Sequence, residues 1–186
     1  TGHGTVAIGA FALEVLNAGN TYNTAVGFNA GAIVSTGIQN TIVGAYAGDA
    51  LTTGSQNIAI GYNALSTEDA HGSNVAVGYQ ALTTLNAGIE GYNVAVGYNA
   101  GQDMSTGQRN TLVGTASGAN LTTGIRNVAI GYEALAAEDG HGYNVAIGYA
   151  ALKTQNAGAD AYNTAVGHQA GTAVTTGIKN ILLGGK

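Results

Sequence analysis

The residues best suited to chemistry in this chain lie in two kinds of loop. The first is an acidic cluster with an imidazole, Glu68-Asp69-Ala70-His71-Gly72, which returns as Glu138-Asp139-Gly140-His141-Gly142. Carboxylates and imidazole ligate divalent cations, so Glu68, Asp69, His71, Glu138, Asp139 and His141 are candidate metal ligands. Their spacing matches no standard metal loop, and the competing expectation is a solvated turn. A shortened form, His3-Gly4, opens the sequence. The second kind runs from Asn17-Ala18-Gly19 to Tyr22, from Asn86-Ala87-Gly88 to Tyr92, and from Asn156-Ala157-Gly158 to Tyr162. A phenol ring beside amide donors and acceptors suits sugar recognition, which makes Tyr22, Asn86, Tyr92, Asn156 and Tyr162 candidate glycan contacts. The alternative is that the tyrosines pack over their loops as lids.

Other chemistries find little support. Catalysis needs one preorganised constellation, whereas everything distinctive here recurs 70 residues later. No enzymatic activity and no cofactor are expected. The net charge is −5, and the five basic residues (Arg109, Arg126, Lys153, Lys179, Lys186) read as scattered, with no footprint for a nucleic-acid backbone. No apolar run reaches the roughly 18 residues that would cross a bilayer as a helix, so no membrane insertion is expected. Cysteine is absent, which removes disulfides and thiolate metal sites. The start at Thr1 reads as a fragment or a processed form.

The loops are positioned by a repeat. A pentapeptide of the form Asn-x-Ala/Val/Leu-Ile/Val/Leu-Gly begins at Asn23, Asn40, Asn57, Asn74, Asn93, Asn110, Asn127, Asn144, Asn163 and Asn180, and Thr5 opens an eleventh copy. The steps are 17 to 19 residues, and Asn23, Asn93 and Asn163 mark a 70-residue super-repeat of four units. The array is a single domain over 1–186, with full super-repeats at 23–92 and 93–162 and partial ones at 1–22 and 163–186.

In Asn74-Val75-Ala76-Val77-Gly78, alternation puts Val75 and Val77 on one face and Ala76 on the other. The β-branched residues favour a strand, and the frequent glycines disfavour a helix. The glycine closing each run implies a positive φ or a backbone too close for a Cβ. After it come units such as Tyr62-Asn63-Ala64, then a turn such as Thr53-Gly54 or Thr123-Gly124. One unit therefore reads strand, bend, short strand, turn. Stacked units make an all-β parallel solenoid of about eleven turns. Asn57, Asn74, Asn127 and Asn144, with Gly61, Gly78, Gly131 and Gly148, are read as structural, the asparagines forming a ladder along the stack. The tyrosines after the glycines (Tyr62, Tyr79, Tyr98, Tyr132, Tyr149) form a second ladder, with His168 in the same register.

A narrow roll of this kind leaves a row of Val and Ile outside, which three copies around an axis would bury, so a homotrimer is expected. The runner-up is a single-chain three-sided left-handed β-helix. Ile60-Gly61-Tyr62-Asn63-Ala64-Leu65 fits one hexad of that form, but Ser66 to Val77 do not supply two more.

Repeats such as Asn57-Ile58-Ala59-Ile60-Gly61 and Asn144-Val145-Ala146-Ile147-Gly148 resemble the heads of YadA/Hia-type trimeric autotransporter adhesins from about Thr5 to Gly184, and similar repeats occur in bacteriophage tail fibres. The resemblance implies a left-handed parallel β-roll, a tight trimer, and an extracellular place on a cell or virion surface. The units here are longer than the typical head repeat, and no heptad run marks a coiled-coil stalk. The expected function is a structural and adhesive fibre segment that attaches to a host surface through a glycan or receptor. Alternatives are a passive spacer with its binding tip elsewhere, and an ice-binding or lectin-like monomeric solenoid.

Overall fold

In the computed structural model the described residues are 4–17, 19 and 21–186. His3 of the shortened acidic loop and Ala18 of the first Asn-Ala-Gly loop lie outside them. Each pentapeptide contributes one three-residue strand: β1 (Val6–Ile8), β2 (Thr24–Val26), β3 (Thr41–Val43), β4 (Ile58–Ile60), β5 (Val75–Val77), β6 (Val94–Val96), β7 (Thr111–Val113), β8 (Val128–Ile130), β9 (Val145–Ile147), β10 (Thr164–Val166) and β11 (Ile181–Leu183). They form one parallel sheet in sequence order. Equivalent residues pair throughout, as in Ile58↔Val75, Ala59↔Ala76 and Ile60↔Val77. Each strand thus lies beside the strand one turn later, which makes a β-solenoid. At about 4.8 Å per strand the sheet is roughly 50 Å long. The 19-residue steps lengthen loops and leave the register intact, as the pairing of Val75 with Val94 shows.

Among the described residues the short second strand expected in each unit is absent. In its place the chain turns through left-handed residues, for example Asn63 at φ 52° and Leu65 at φ 53°. The left-handed corners still carry bonds along the stack. Asn63 N–H donates to the Ala45 carbonyl at 3.2 Å, and Leu65 N–H donates to the Ala81 carbonyl at 3.0 Å. A third left-handed corner precedes each buried asparagine, as at Gln56, whose N–H donates to the Ile38 carbonyl at 2.9 Å. A left-handed non-glycine residue costs about 1 kcal/mol or more. Here that cost is offset because most corners, such as Asn63, Leu65, Gln56, Arg109 and Arg126, keep the peptide hydrogen-bonded to a neighbouring turn.

The sheet has a defined inside. The middle residue of each strand from β2 to β10, such as Ala59, Ala76, Ala129 or Ala146, faces inward and is fully buried. The flanking residues, such as Val75 and Val77, face outward and are half-buried by their neighbours in the column. The core is filled from three further columns: the alanines Ala64, Ala81 and Ala134; the leucines Leu65, Leu82 and Leu135; and Leu51, Leu85, Met104 and Leu121. Ser117 replaces an alanine of the first of these, and its hydroxyl donates to the Ala129 carbonyl at 2.7 Å. In several turns large and small residues are complementary. Turns with Ile42 or Leu112 in the strand carry Gly48 or Gly118 where turns with Ala59 or Ala129 carry Leu65 or Leu135.

Candidate functional site

The asparagines are buried and bonded along the axis. Each side-chain oxygen accepts the backbone N–H of the next one, as from Asn57 to Asn40 (2.9 Å), Asn74 to Asn57 (3.1 Å) and Asn127 to Asn110 (2.9 Å). Each side-chain NH2 donates to a backbone carbonyl of the following turn, as Asn110 does to Gly124 at 2.8 Å and Asn127 to His141 at 3.1 Å. This second bond fails where the next turn is the expanded one. Asn74 bonds Gly72 of its own turn instead, at 3.1 Å, and the buried Asn144 Nδ2 has no partner.

The closing glycines meet both conditions at once. Gly61, Gly78, Gly131 and Gly148 have φ from 132° to 137°, and a Cβ on any of them would collide with the carbonyl oxygen of the corresponding glycine one turn on.

The acidic loops are built differently from a solvated turn. Glu68 and Glu138 are fully buried, at the positions where Leu51, Leu85 and Leu121 stand in other turns, while Asp69 and Asp139 are exposed. Glu68 is held by its surroundings. Its Oε1 accepts His71 N–H at 3.1 Å and lies 3.3 Å from His71 Nδ1, and its Oε2 accepts Ala87 N–H at 3.1 Å. The carboxylate thereby ties the acidic loop to the expanded loop of the next turn. In the second copy Glu138 Oε1 accepts His141 N–H at 3.2 Å and lies 3.1 Å from His141 Nδ1, but Oε2 is buried without a partner. Desolvation raises the Glu138 carboxyl above its ordinary value, against the opposing pull of His141. The six candidate metal ligands do gather into two groups, Glu68-Asp69-His71 and Glu138-Asp139-His141. A cation at Glu68 would have to compete with two backbone N–H groups, so the loop works first as a buried peg.

The glycan candidates are not brought together as composite sites. Asn86 and Asn156 begin their loops and donate their N–H groups forward to the Ser105 and Thr175 carbonyls of the following turn. Tyr92 and Tyr162 end them, at the left-handed corner before the buried asparagine. No hydrogen bond among the described residues joins Asn86 to Tyr92 or Asn156 to Tyr162. Tyr22, Tyr92 and Tyr162 are 60%, 52% and 50% exposed, so they stand at an edge of the sheet and do not lid their loops.

That edge holds a column which reading residue types along the chain does not reveal: Tyr92, Arg109, Arg126, Tyr143, Tyr162 and Lys179, one per turn. The Arg109 guanidinium lies 5.9 Å from the Tyr92 ring centre. Arg126 lies 5.3 Å from the Tyr143 ring centre and donates to its hydroxyl. Tyr143 and Tyr162 stack at 4.8 Å. Three of the five basic residues are therefore aligned and not scattered. The signal lay in register: each of the six residues immediately precedes a ladder asparagine. The opposite edge carries the tyrosine ladder, with Tyr62 to Tyr79 at 5.4 Å, Tyr79 to Tyr98 at 5.1 Å, and Tyr149 to His168 at 5.0 Å. These rings cover one another's faces and present their rims outward.

No protein-family model matches this chain, and no curated protein or solved structure matches it.

Proposed function

We propose that this chain is a segment of a trimeric adhesive fibre, a left-handed β-roll carried on a cell or virion surface, similar in kind to YadA/Hia-type heads and to bacteriophage tail fibres. The observation that supports it best is the outward face of the sheet. Val75, Val77, Val94, Val96, Val128 and Ile130 belong to two parallel rows that run the length of the solenoid. Inner members of these rows stay partly open to solvent, with Ile58 and Ile130 at 37%. One row is Val, Ile or Leu in every strand, and the other carries Thr24, Thr41, Thr111 and Thr164 among its Val and Ile. Over roughly 50 Å the two give a largely apolar strip of roughly several hundred Å2, at or above what a soluble monomer ordinarily leaves bare. Copies of the same chain, packed around a common axis, would cover it along its whole length. The expanded loops, with Ile89 exposed near one tip, then remain lateral and recur about every 19 Å, which suits many weak contacts with a host glycan or receptor.

Light scattering behind size exclusion tests the assembly. Three chains of 18.4 kDa give a particle of about 55 kDa. A stable particle of one chain's mass would sink the trimer and leave a monomeric solenoid.

A further inference from the structure

The Tyr-Arg column at the sheet edge is an arrangement that neither the fold nor the assembly requires. Arg109 and Arg126 occupy the same corner on successive turns, about 5 Å apart along the axis. Both side chains are exposed, and no carboxylate lies within ion-pair distance of either among the described residues. Neighbouring like charges repel, and this pair does so on a chain with a net charge of −5, where acidic residues outnumber basic ones two to one. Lys153, by contrast, is paired with Glu133 at 2.5 Å, and that carboxylate holds its ammonium above its ordinary value. Arg109 and Arg126 are left open to solvent beside aromatic rings.

We infer that Arg109 and Arg126, bracketed by Tyr92 and Tyr143, bind the carboxylate of an acidic sugar. Arg109 leans on the ring of the turn before it and Arg126 on the ring of the turn after it. Two guanidiniums on successive turns can both donate N–H groups to one carboxylate, which relieves their repulsion. The phenol of Tyr143 accepts from Arg126 and so keeps its own O–H free to donate to a ring hydroxyl. Tyr92 has only the small Ser73 on the preceding turn of its column, so the ring face away from Arg109 is not covered by another ring. A sugar ring can lie against that face while its carboxylate reaches the arginines. Nucleic acid fits less well. Its phosphates follow one another at every nucleotide, whereas the column offers two adjacent cations, two tyrosines, and then Lys179 three turns beyond Arg126. The inference takes its biological setting from the adhesive reading, and it names the ligand class that reading leaves open.

The experiment is calorimetric titration of the intact chain with trigalacturonic acid and with 3′-sialyllactose, beside their neutral counterparts, a neutral trisaccharide and lactose. The expected result is binding of at least one acidic sugar, no binding of its neutral counterpart, and a loss of about tenfold or more in Arg109→Gln and in Arg126→Gln. Lys153→Gln keeps the wild-type affinity. The uronate and sialate arms separate the two sources of the carboxylate. Particle mass and far-ultraviolet dichroism of each variant are measured alongside, so a lost assembly is told apart from a lost site. Absence of binding to both acidic sugars overturns the inference. So does equal binding of the neutral sugars, binding that survives both arginine substitutions, or an oligothymidylate bound with the same arginine dependence.

Discussion

Leu112 and Gly118 share one space. A methyl group at Gly118 would lie 2.8 Å from Cδ2 of Leu112, and Leu112 is fully buried. One turn later the same two positions hold Ala129 and Leu135, with the large residue on the other side of the gap. The backbone is alike in both, with φ 56° at Gly118 and 53° at Leu135. These two turns therefore fill the layer from opposite sides, whereas Ala95 and Gly101 are both small and Leu112 and Leu82 of the neighbouring turns reach toward Gly101.

Leu112→Ala is expected to cost about 2–5 kcal/mol by chemical denaturation, the usual range for a buried leucine. Adding Gly118→Leu should recover at least half of that loss, since the left-handed corner already accepts leucine in the next turn. If the double variant is no more stable than Leu112→Ala alone, the two sites do not exchange volume.

The asparagine column gives a second contrast. Asn110 receives the Asn127 N–H and donates to the Gly124 carbonyl, whereas Asn144 receives Asn163 N–H at 3.2 Å and leaves its NH2 unpaired. Removing Asn110 strands two buried backbone groups, and removing Asn144 strands one. Asn110→Ala is expected to cost about 2–4 kcal/mol and Asn144→Ala about half as much. Hydrogen exchange should report faster loss of the Asn127 amide in the first variant and of the Asn163 amide in the second. Equal costs would mean that the NH2 bond contributes nothing.

The pH dependence follows from two carboxyls. Burial raises both Glu138 and Asp49 above their ordinary values, and each keeps one buried oxygen without a partner. The folded state thus holds protons more tightly than the unfolded chain. The stability this supplies is fully present below the unfolded value and is lost as pH rises through the folded one. Melting temperature should accordingly fall across the range just above the ordinary carboxylate values. Glu138→Gln together with Asp49→Asn should flatten that slope and raise the melting temperature at neutral pH. A slope unchanged in the double variant would place its origin in other groups.

Much of this molecule is legible in its sequence because the repeat imposes one geometry many times. The spacing from Asn57 to Asn74 gives the turn, the alternation in Val75-Ala76-Val77 gives the strand, and Gly78 marks the close approach of two backbones. The second half of each turn is not legible in the same way. Leu65 is an ordinary residue for a strand or a helix and disfavours the left-handed region, and the bond from the neighbouring turn holds it there. Glu68 also misleads, since a charged residue in a loop reads as solvated. Its burial shows only in the fold, where Oε1 accepts the His71 N–H and Oε2 accepts that of Ala87, 19 residues on. The Tyr-Arg column was hidden by residue type, because Tyr92, Arg109 and Tyr143 share only their place before an asparagine.

The outward face offers the most direct test of assembly. Val96 sits in the middle of the sheet, paired with Val77 and Val113, and its side chain is only half-buried within one chain. Val96→Lys adds a charge that a monomer tolerates by extending it into water, at a cost within about 1 kcal/mol. In an assembly the same charge would be buried against a partner's valines without a counterion, and each copy around the axis would repeat it. The expected outcome is a particle near 18.4 kDa with unchanged far-ultraviolet dichroism, where the parent chain gives about three times that mass. Ala95→Lys, one residue away but facing inward, is expected to unfold the turn instead, because Ala95 is fully buried. A Val96→Lys particle that keeps the full parental mass would show that the copies meet through some other surface.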